Sequence, residues 1–149
     1  MKKTISLLFF ALFACGVFAQ DNNEAVNTNK WIDTYSGLNA AKDWNGMLSK
    51  LAECRAEVPN WEFADYYEGV ANFNLKNYQK AVDALTSFIQ KNQSTPAAFL
   101  YRGNAYLEMK EPIFAIKDYD EYLKATPNDI PTMLSKAQAR LITKDYANY

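Results

Sequence analysis

The sequence has a 34-residue period, and this period limits the possible folds more than any other feature. One series at this spacing consists of Lys42, Lys76, Lys110 and Lys144. The residues that follow can each cap or favour a helix N-terminus, and they are Asp43, Asn77, Glu111 and Asp145. Two further series are Gly69, Gly103 and Ala137, then Met47, Ala81 and Ala115. Such a period predicts a stack of similar supersecondary units.

The unit is clearest between Pro96 and Asn128. Thr95 can cap a first helix, and Pro96 suits the first turn, where a missing N–H costs nothing. Apolar residues then recur at helical spacing as far as Lys110. Pro112 opens a second helix, whose apolar stripe consists of Ala115, Ile116, Tyr119, Tyr122 and Leu123. The unit is therefore two amphipathic helices joined by a tight turn.

A glycine lies inside the first helix of this unit. Glycine in a helix costs about 1 kcal/mol relative to alanine, so Gly103 indicates a close approach between two helices. Ala137 occupies the same series. We therefore expect the position to need a small side chain and to accept alanine.

A 34-residue helix-turn-helix unit with these small residues and a terminal proline resembles the tetratricopeptide repeat. The third copy matches best, through Phe99, Gly103, Tyr106, Ala115, Tyr119 and Pro127. The chain departs from the pattern at Tyr35, Asp65, Asn72 and Tyr122. The resemblance implies an all-α fold, a right-handed α-solenoid of about three and a half repeats.

The period divides the chain into repeats at 28–61, 62–95 and 96–129 and a half repeat at 130–149. Helices are expected at 29–41, 44–57, 61–75, 78–91, 96–109, 112–125 and 130–143. In the half repeat, Met133, Ala137 and Leu141 should dock on the preceding helix pair. Lys136, Gln138 and Arg140 should then face solvent, as in a solenoid cap. This arrangement predicts a monomer, with a weak dimer through this end as the alternative.

Residues 1–19 have the composition of a signal peptide. Lys2 and Lys3 form a basic region, residues 5–13 are apolar but too few to span a bilayer, and residues 17–19 form a cleavage site. A rival interpretation takes residues 12–15 as a lipobox with a lipidated Cys15. Both predict export across the inner membrane, to the periplasm or, with a lipid, to the outer membrane. Residues 20–27 are polar and should form a flexible lead-in.

The composition argues against several functions. The chain has no histidine, the commonest general base and a frequent zinc ligand, and its net charge of −1 gives nucleic acid little to bind. Cys54 falls in series with Phe88 and Tyr122, which predicts a buried structural thiol. Asp118, Asp120 and Glu121 are flanked by Lys117 and Lys124 and should form a solvated, ion-paired face. We therefore expect no enzyme activity, cofactor or metal site.

The resemblance also implies a binding surface, because the first helix of each repeat lines the concave side of the solenoid. The expected groove residues are Phe63, Tyr66, Val70, Phe73, Leu100, Asn104, Leu107 and Glu108. An apolar, aromatic groove suits an extended peptide or short helix. The sequence thus predicts a non-catalytic protein-interaction module or scaffold in the bacterial envelope. A glycan, peptidoglycan fragment or small molecule on the same aromatic surface is the alternative.

One family specificity is disfavoured. The family's clamp for chaperone C-termini needs basic and asparagine residues along the groove. In this chain the candidate places hold Ile32, Tyr67, Ala97 and Tyr101.

Overall fold

The computed structural model describes the backbone of residues 25–146 and the side chains of residues 25–144. These residues form helices and turns, with no strand among them. The helices are α1 (25–40), α2 (Trp44–Ser49), α3 (Leu51–Glu57), α4 (Phe63–Asn74), α5 (Tyr78–Lys91), α6 (Pro96–Glu108), α7 (Pro112–Ala125) and α8 (Ile130–Tyr146). The expected all-α class is confirmed.

The helices pack in chain order. From α4 to α8 each helix contacts the next, and α4 also contacts α6, which is the first helix of the following repeat. The core consists accordingly of successive clusters along the chain rather than one centre. This arrangement is the solenoid that the 34-residue period predicts.

The lysine series marks a recurring turn. Lys42, Lys76 and Lys110 have φ values of 55°, 63° and 60°, in the left-handed region. In each case the next residue donates a hydrogen bond from its backbone N–H to the carbonyl oxygen five residues back. The N–H of Glu111, for example, donates to the carbonyl oxygen of Tyr106 at an N···O distance of 2.8 Å. These are the bonds of a Schellman helix end. At Lys144, the fourth member of the series, α8 continues as a helix.

Three expected boundaries are wrong, and one of them is the end of α8, which is expected at 143 and lies at Tyr146. The helix expected at 44–57 divides at Lys50, whose N–H is shared between the carbonyls of Gly46 and Met47 at 3.3 Å each. This repeat also carries Tyr35 in the small position. Residues 25–27, expected in the flexible lead-in, are helical, since neither proline nor glycine interrupts them. Residues 1–19, including Cys15, and residues 20–24 lie outside the described part.

The small position is a close helix contact. A Cβ on Gly69 would lie 2.8 Å from Cδ2 of Leu85, and one on Gly103 would lie 3.0 Å from Cε1 of Tyr119. The predicted packing role agrees with these distances, and alanine at either glycine would require the neighbouring side chain to shift. Ala137 is exposed because no second helix covers it in the described structure.

The last helix docks through a different face from the one expected. Thr132 and Ala139 are buried, as are their counterparts one period earlier, Ala98 and Ala105. Met133 and Leu141 are exposed. Small side chains two turns apart therefore set the docking face.

The charges on α8 also differ from expectation. Lys136 forms an ion pair with Asp120 of α7 instead of facing solvent. Its side chain consequently strengthens the contact between α7 and α8.

The first cluster confirms the expectation for Cys54, which is a free thiol with no exposed surface. Burial raises the pKa of Cys54. Around it, Tyr35 stacks on Tyr67 with ring centroids 4.8 Å apart, and Trp31 donates its indole N–H to Glu57 at 3.0 Å. The thiol is thus a neutral packing group.

The acidic cluster on α7 is only partly a solvated face. Glu121 pairs with Lys124 at 2.7 Å on the surface, as expected. Asp118, in contrast, is 4 % exposed and receives two hydrogen bonds from Arg102, at 2.8 and 2.7 Å. Arg102 also donates to Thr86 of α5 at 3.1 Å. The sequence pattern does not reveal this pair because the partner of Asp118 lies more than four helical turns away along the chain, on α6.

Candidate functional site

The candidate groove lies along α4 and α6, the first helices of two successive repeats. Their packing places Tyr101 of α6 against two rings of α4. The centroid of Tyr101 is 6.4 Å from that of Tyr66 and 5.6 Å from that of Phe73, both in edge-to-face geometry. All three rings are half-buried. They form a continuous line of rings across the two helices, which we call the aromatic row.

Three of the expected groove residues also contact the core or the second helices. Val70 is 2 % exposed. Phe63 packs edge-on against Phe88 of α5, with centroids 5.1 Å apart. Asn104 accepts a hydrogen bond from the Tyr119 hydroxyl at 2.8 Å, so its side chain faces α7. Val70 therefore offers almost no surface to a ligand, whereas Phe63 and Asn104 stay half-buried, as the rings of the aromatic row do.

Leu100, Leu107 and Glu108 keep accessible surface. The two leucines are half-buried and Glu108 is exposed. Leu100 and Leu107 lie two helical turns apart on α6 and correspond, one period later, to Tyr66 and Phe73. Glu108 lies beside Tyr78 of α5. Burial raises the pKa of the Tyr78 phenol, and the contact with Glu108 raises that pKa further. By their repeat positions, both leucines are candidates to extend the apolar surface of the aromatic row.

Tyr101 is absent from the set of groove residues that the sequence predicts. Tyr67 and Tyr101, one period apart, are expected there only as places in the chaperone clamp. Because the two tyrosines occupy the same position in successive repeats, this shared position was the signal by which Tyr101 could have been predicted as a groove residue. Tyr67 packs against Tyr35 in the first cluster, whereas Tyr101 contacts the two rings of the aromatic row that lie on α4.

The charges near the groove do not favour an anion. α4 contains no basic residue, and the one basic residue of α6, Arg102, is bound to Asp118. Burial raises the pKa of Tyr66 to about 12, so its phenol remains protonated at physiological pH. The surface can therefore offer apolar contact and neutral hydrogen bonds. Within residues 25–144, no group of carboxylates and thiols is placed to hold a metal ion.

Comparisons with known proteins give the same architecture. No family model matches the chain. A segment of human tetratricopeptide repeat protein 21B is 33% identical over 111 residues, which is 72% of this chain and 8% of that protein. The first tetratricopeptide domain of Spaghetti (RPAP3) superposes with a TM-score of 0.65, covering 85% of this chain and 94% of that one at 19% identity. The chain is built of tetratricopeptide repeats.

Two further proteins are similar to this chain. The MamA protein superposes with a TM-score of 0.59 at 20% identity, over 80% of this chain and 84% of that one. Mouse neutrophil cytosol factor 2 is 33% identical over 82 residues, which is 55% of this chain and 15% of that protein. The chain therefore spans less than a fifth of the length of tetratricopeptide repeat protein 21B and of neutrophil cytosol factor 2. Among its described helices, none is long and apolar enough to cross a membrane.

Proposed function

We propose that this tetratricopeptide chain is a non-catalytic interaction module that holds an apolar peptide or short helix of a partner protein. The observation that carries the proposal is the aromatic row, in which Tyr101 joins Tyr66 and Phe73 across two first helices. The similar domain of Spaghetti was solved with the HSP90 peptide SRMEEVD, which supports a peptide as the class of ligand. The lack of a free basic side chain on α4 and α6 favours an apolar or basic peptide over that acidic one.

Peptide selection with the full chain tests this proposal. From a random peptide library, we expect enrichment of peptides rich in aromatic and aliphatic residues. Changing Leu100 and Leu107 together to glutamine should weaken binding about tenfold or more, because each leucine loses apolar contact. Ile113→Gln, on an exposed residue of the second helix α7, is the matched control and should bind like the parent. SRMEEVD should not bind measurably.

Substitution of the leucines is a cleaner test of binding than substitution of the rings. Tyr66 packs on Phe88 with centroids 5.3 Å apart, and Phe73 lies 5.9 Å from Tyr78. Truncating either ring would therefore lower stability as well as affinity. Equal affinities for the parent and the leucine variant would overturn the groove assignment. Direct binding of a peptidoglycan fragment, with no peptide enriched, would support the alternative ligand instead.

We propose in addition that the chain is exported and acts in the bacterial envelope. The support is the basic and apolar pattern of residues 1–19, followed by the small residues of a cleavage site. Mass spectrometry of protein recovered from a bacterial host should find Gln20 as the first residue. A diacylglycerol on Cys15 would instead identify a lipid-anchored protein. An N-terminus at Met1 in the mature protein would contradict export.

A further inference from the structure

The outer face of α8 holds four of the eight large hydrophobic side chains that are exposed among the described residues. Its members are Ile130, Met133, Leu134, Ala137 and Leu141, and the four large side chains are 65%, 49%, 66% and 64% exposed in chain order. They lie on the side of α8 opposite the buried Thr132 and Ala139. Contiguous apolar surface of this kind marks an interaction site. We call these five residues the α8 outer face.

The repeat spacing indicates what shape fits this face. Gly69 meets Leu85 of α5, and Gly103 meets Tyr119 of α7. Ala137 is the next residue in that series, and it is exposed. α8 is docked on its predecessor through the same positions as α6. Its outer face is therefore shaped to receive one helix, as α6 receives α7.

The charges beside the outer face indicate the chemistry of that helix. Arg140 is exposed and lies three residues after Ala137, at the edge of the outer face. No acidic residue occurs between Ile130 and Lys144. A second copy of α8 offers Arg140 no carboxylate between Ile130 and Lys144, so an acidic helix complements this face better than a second copy does. We propose that the α8 outer face binds an acidic amphipathic helix of a partner protein and that the chain itself is monomeric.

The test uses two synthetic peptides and the full chain. The first has the sequence of residues 111–127, which includes the helix that covers α6. The second is identical except for Lys117→Glu and Lys124→Glu. By fluorescence anisotropy in low salt, the acidic peptide should bind about tenfold more tightly, and high salt should remove the difference.

Protein variants locate the binding site. Met133→Ser with Leu141→Ser should weaken the acidic peptide about tenfold or more without changing the melting temperature, because both side chains are exposed. Val26→Ser, also at an exposed apolar residue, should have no effect. Arg140→Glu should reduce or reverse the preference between the peptides. The Leu100 and Leu107 variant of the groove should still bind, so failure at one surface is distinguishable from failure at the other.

Three results would overturn the proposal. The first is no binding of either peptide, and the second is equal binding to the parent and the Met133/Leu141 variant. The third is a concentration-dependent dimer in analytical ultracentrifugation that Leu141→Ser abolishes, which would assign the face to a second copy.

Discussion

Replacing Gly69 by leucine should lower the free energy of unfolding by about 3 kcal/mol or more while leaving a cooperative transition at a lower urea concentration. The reason is the contact with Leu85, since even a Cβ would lie 2.8 Å from its Cδ2 atom. Leu85 has no exposed surface and cannot turn outward. Urea unfolding of the parent and the variant measures the loss.

The repeat provides two matched controls for this substitution. At Gly103 the added Cβ would meet the ring of Tyr119 at 3.0 Å, so Gly103→Leu should cost about 1 to 3 kcal/mol. Ala137→Leu should change stability by no more than about 0.5 kcal/mol, because that position is exposed. Equal losses at all three positions would contradict a role in packing against the second helix.

The period made most of the fold predictable. The 34-residue spacing fixes the order of helices, and capping and proline signals give most of their ends to within two residues. The break at Lys50 could not be predicted in the same way. The only local signal for this break is Gly46. The two halves of the divided helix pack in one cluster with Tyr35 and α4, and this packing is not visible in the sequence.

Departures from the repeat pattern needed the structure for their explanation. Asp65 stands where the pattern has an aromatic residue. It accepts hydrogen bonds from Arg55 at 2.7 Å and from Ser87 and Lys91 at 2.8 Å, and so joins three helices. Burial alone would raise the pKa of Asp65, but the bonds from Lys91, Ser87 and Arg55 lower it. None of these partners is identifiable from spacing.

The groove was predictable only as a set of positions on the first helices. Which of these positions keep free surface depends on the distance between neighbouring helices. Val70 and Tyr66 are four residues apart on the same helix, yet Val70 is buried and Tyr66 contributes to the aromatic row. The same holds for α8, where the sequence identified an apolar stripe but not that a different face would dock.

Replacing Arg102 by methionine should lower the free energy of unfolding by about 3 to 5 kcal/mol at pH 7. The change leaves the Asp118 carboxylate, 4 % exposed, without its two charged hydrogen bonds, and Thr86 also loses a donor. Lys124→Met, which breaks the exposed pair with Glu121, is the control and should cost less than about 1 kcal/mol. Chemical unfolding at fixed pH compares the two.

The pH dependence of the Arg102→Met loss identifies its cause. Burial raises the pKa of Asp118, and Arg102 opposes that rise, so removing Arg102 raises the folded-state pKa further above the unfolded value of about 4. The folded variant then binds a proton more tightly than the unfolded chain. The stability that the variant loses relative to the parent should be lost in full at pH values above the pKa of Asp118 in the folded variant. This loss should shrink as pH falls toward about 4. A double variant with Asp118→Leu should recover most of the loss and abolish this pH dependence. A deficit that stays constant from pH 7 to about 4 would show that lost packing by Arg102, and not the unpaired carboxylate, destabilises the chain.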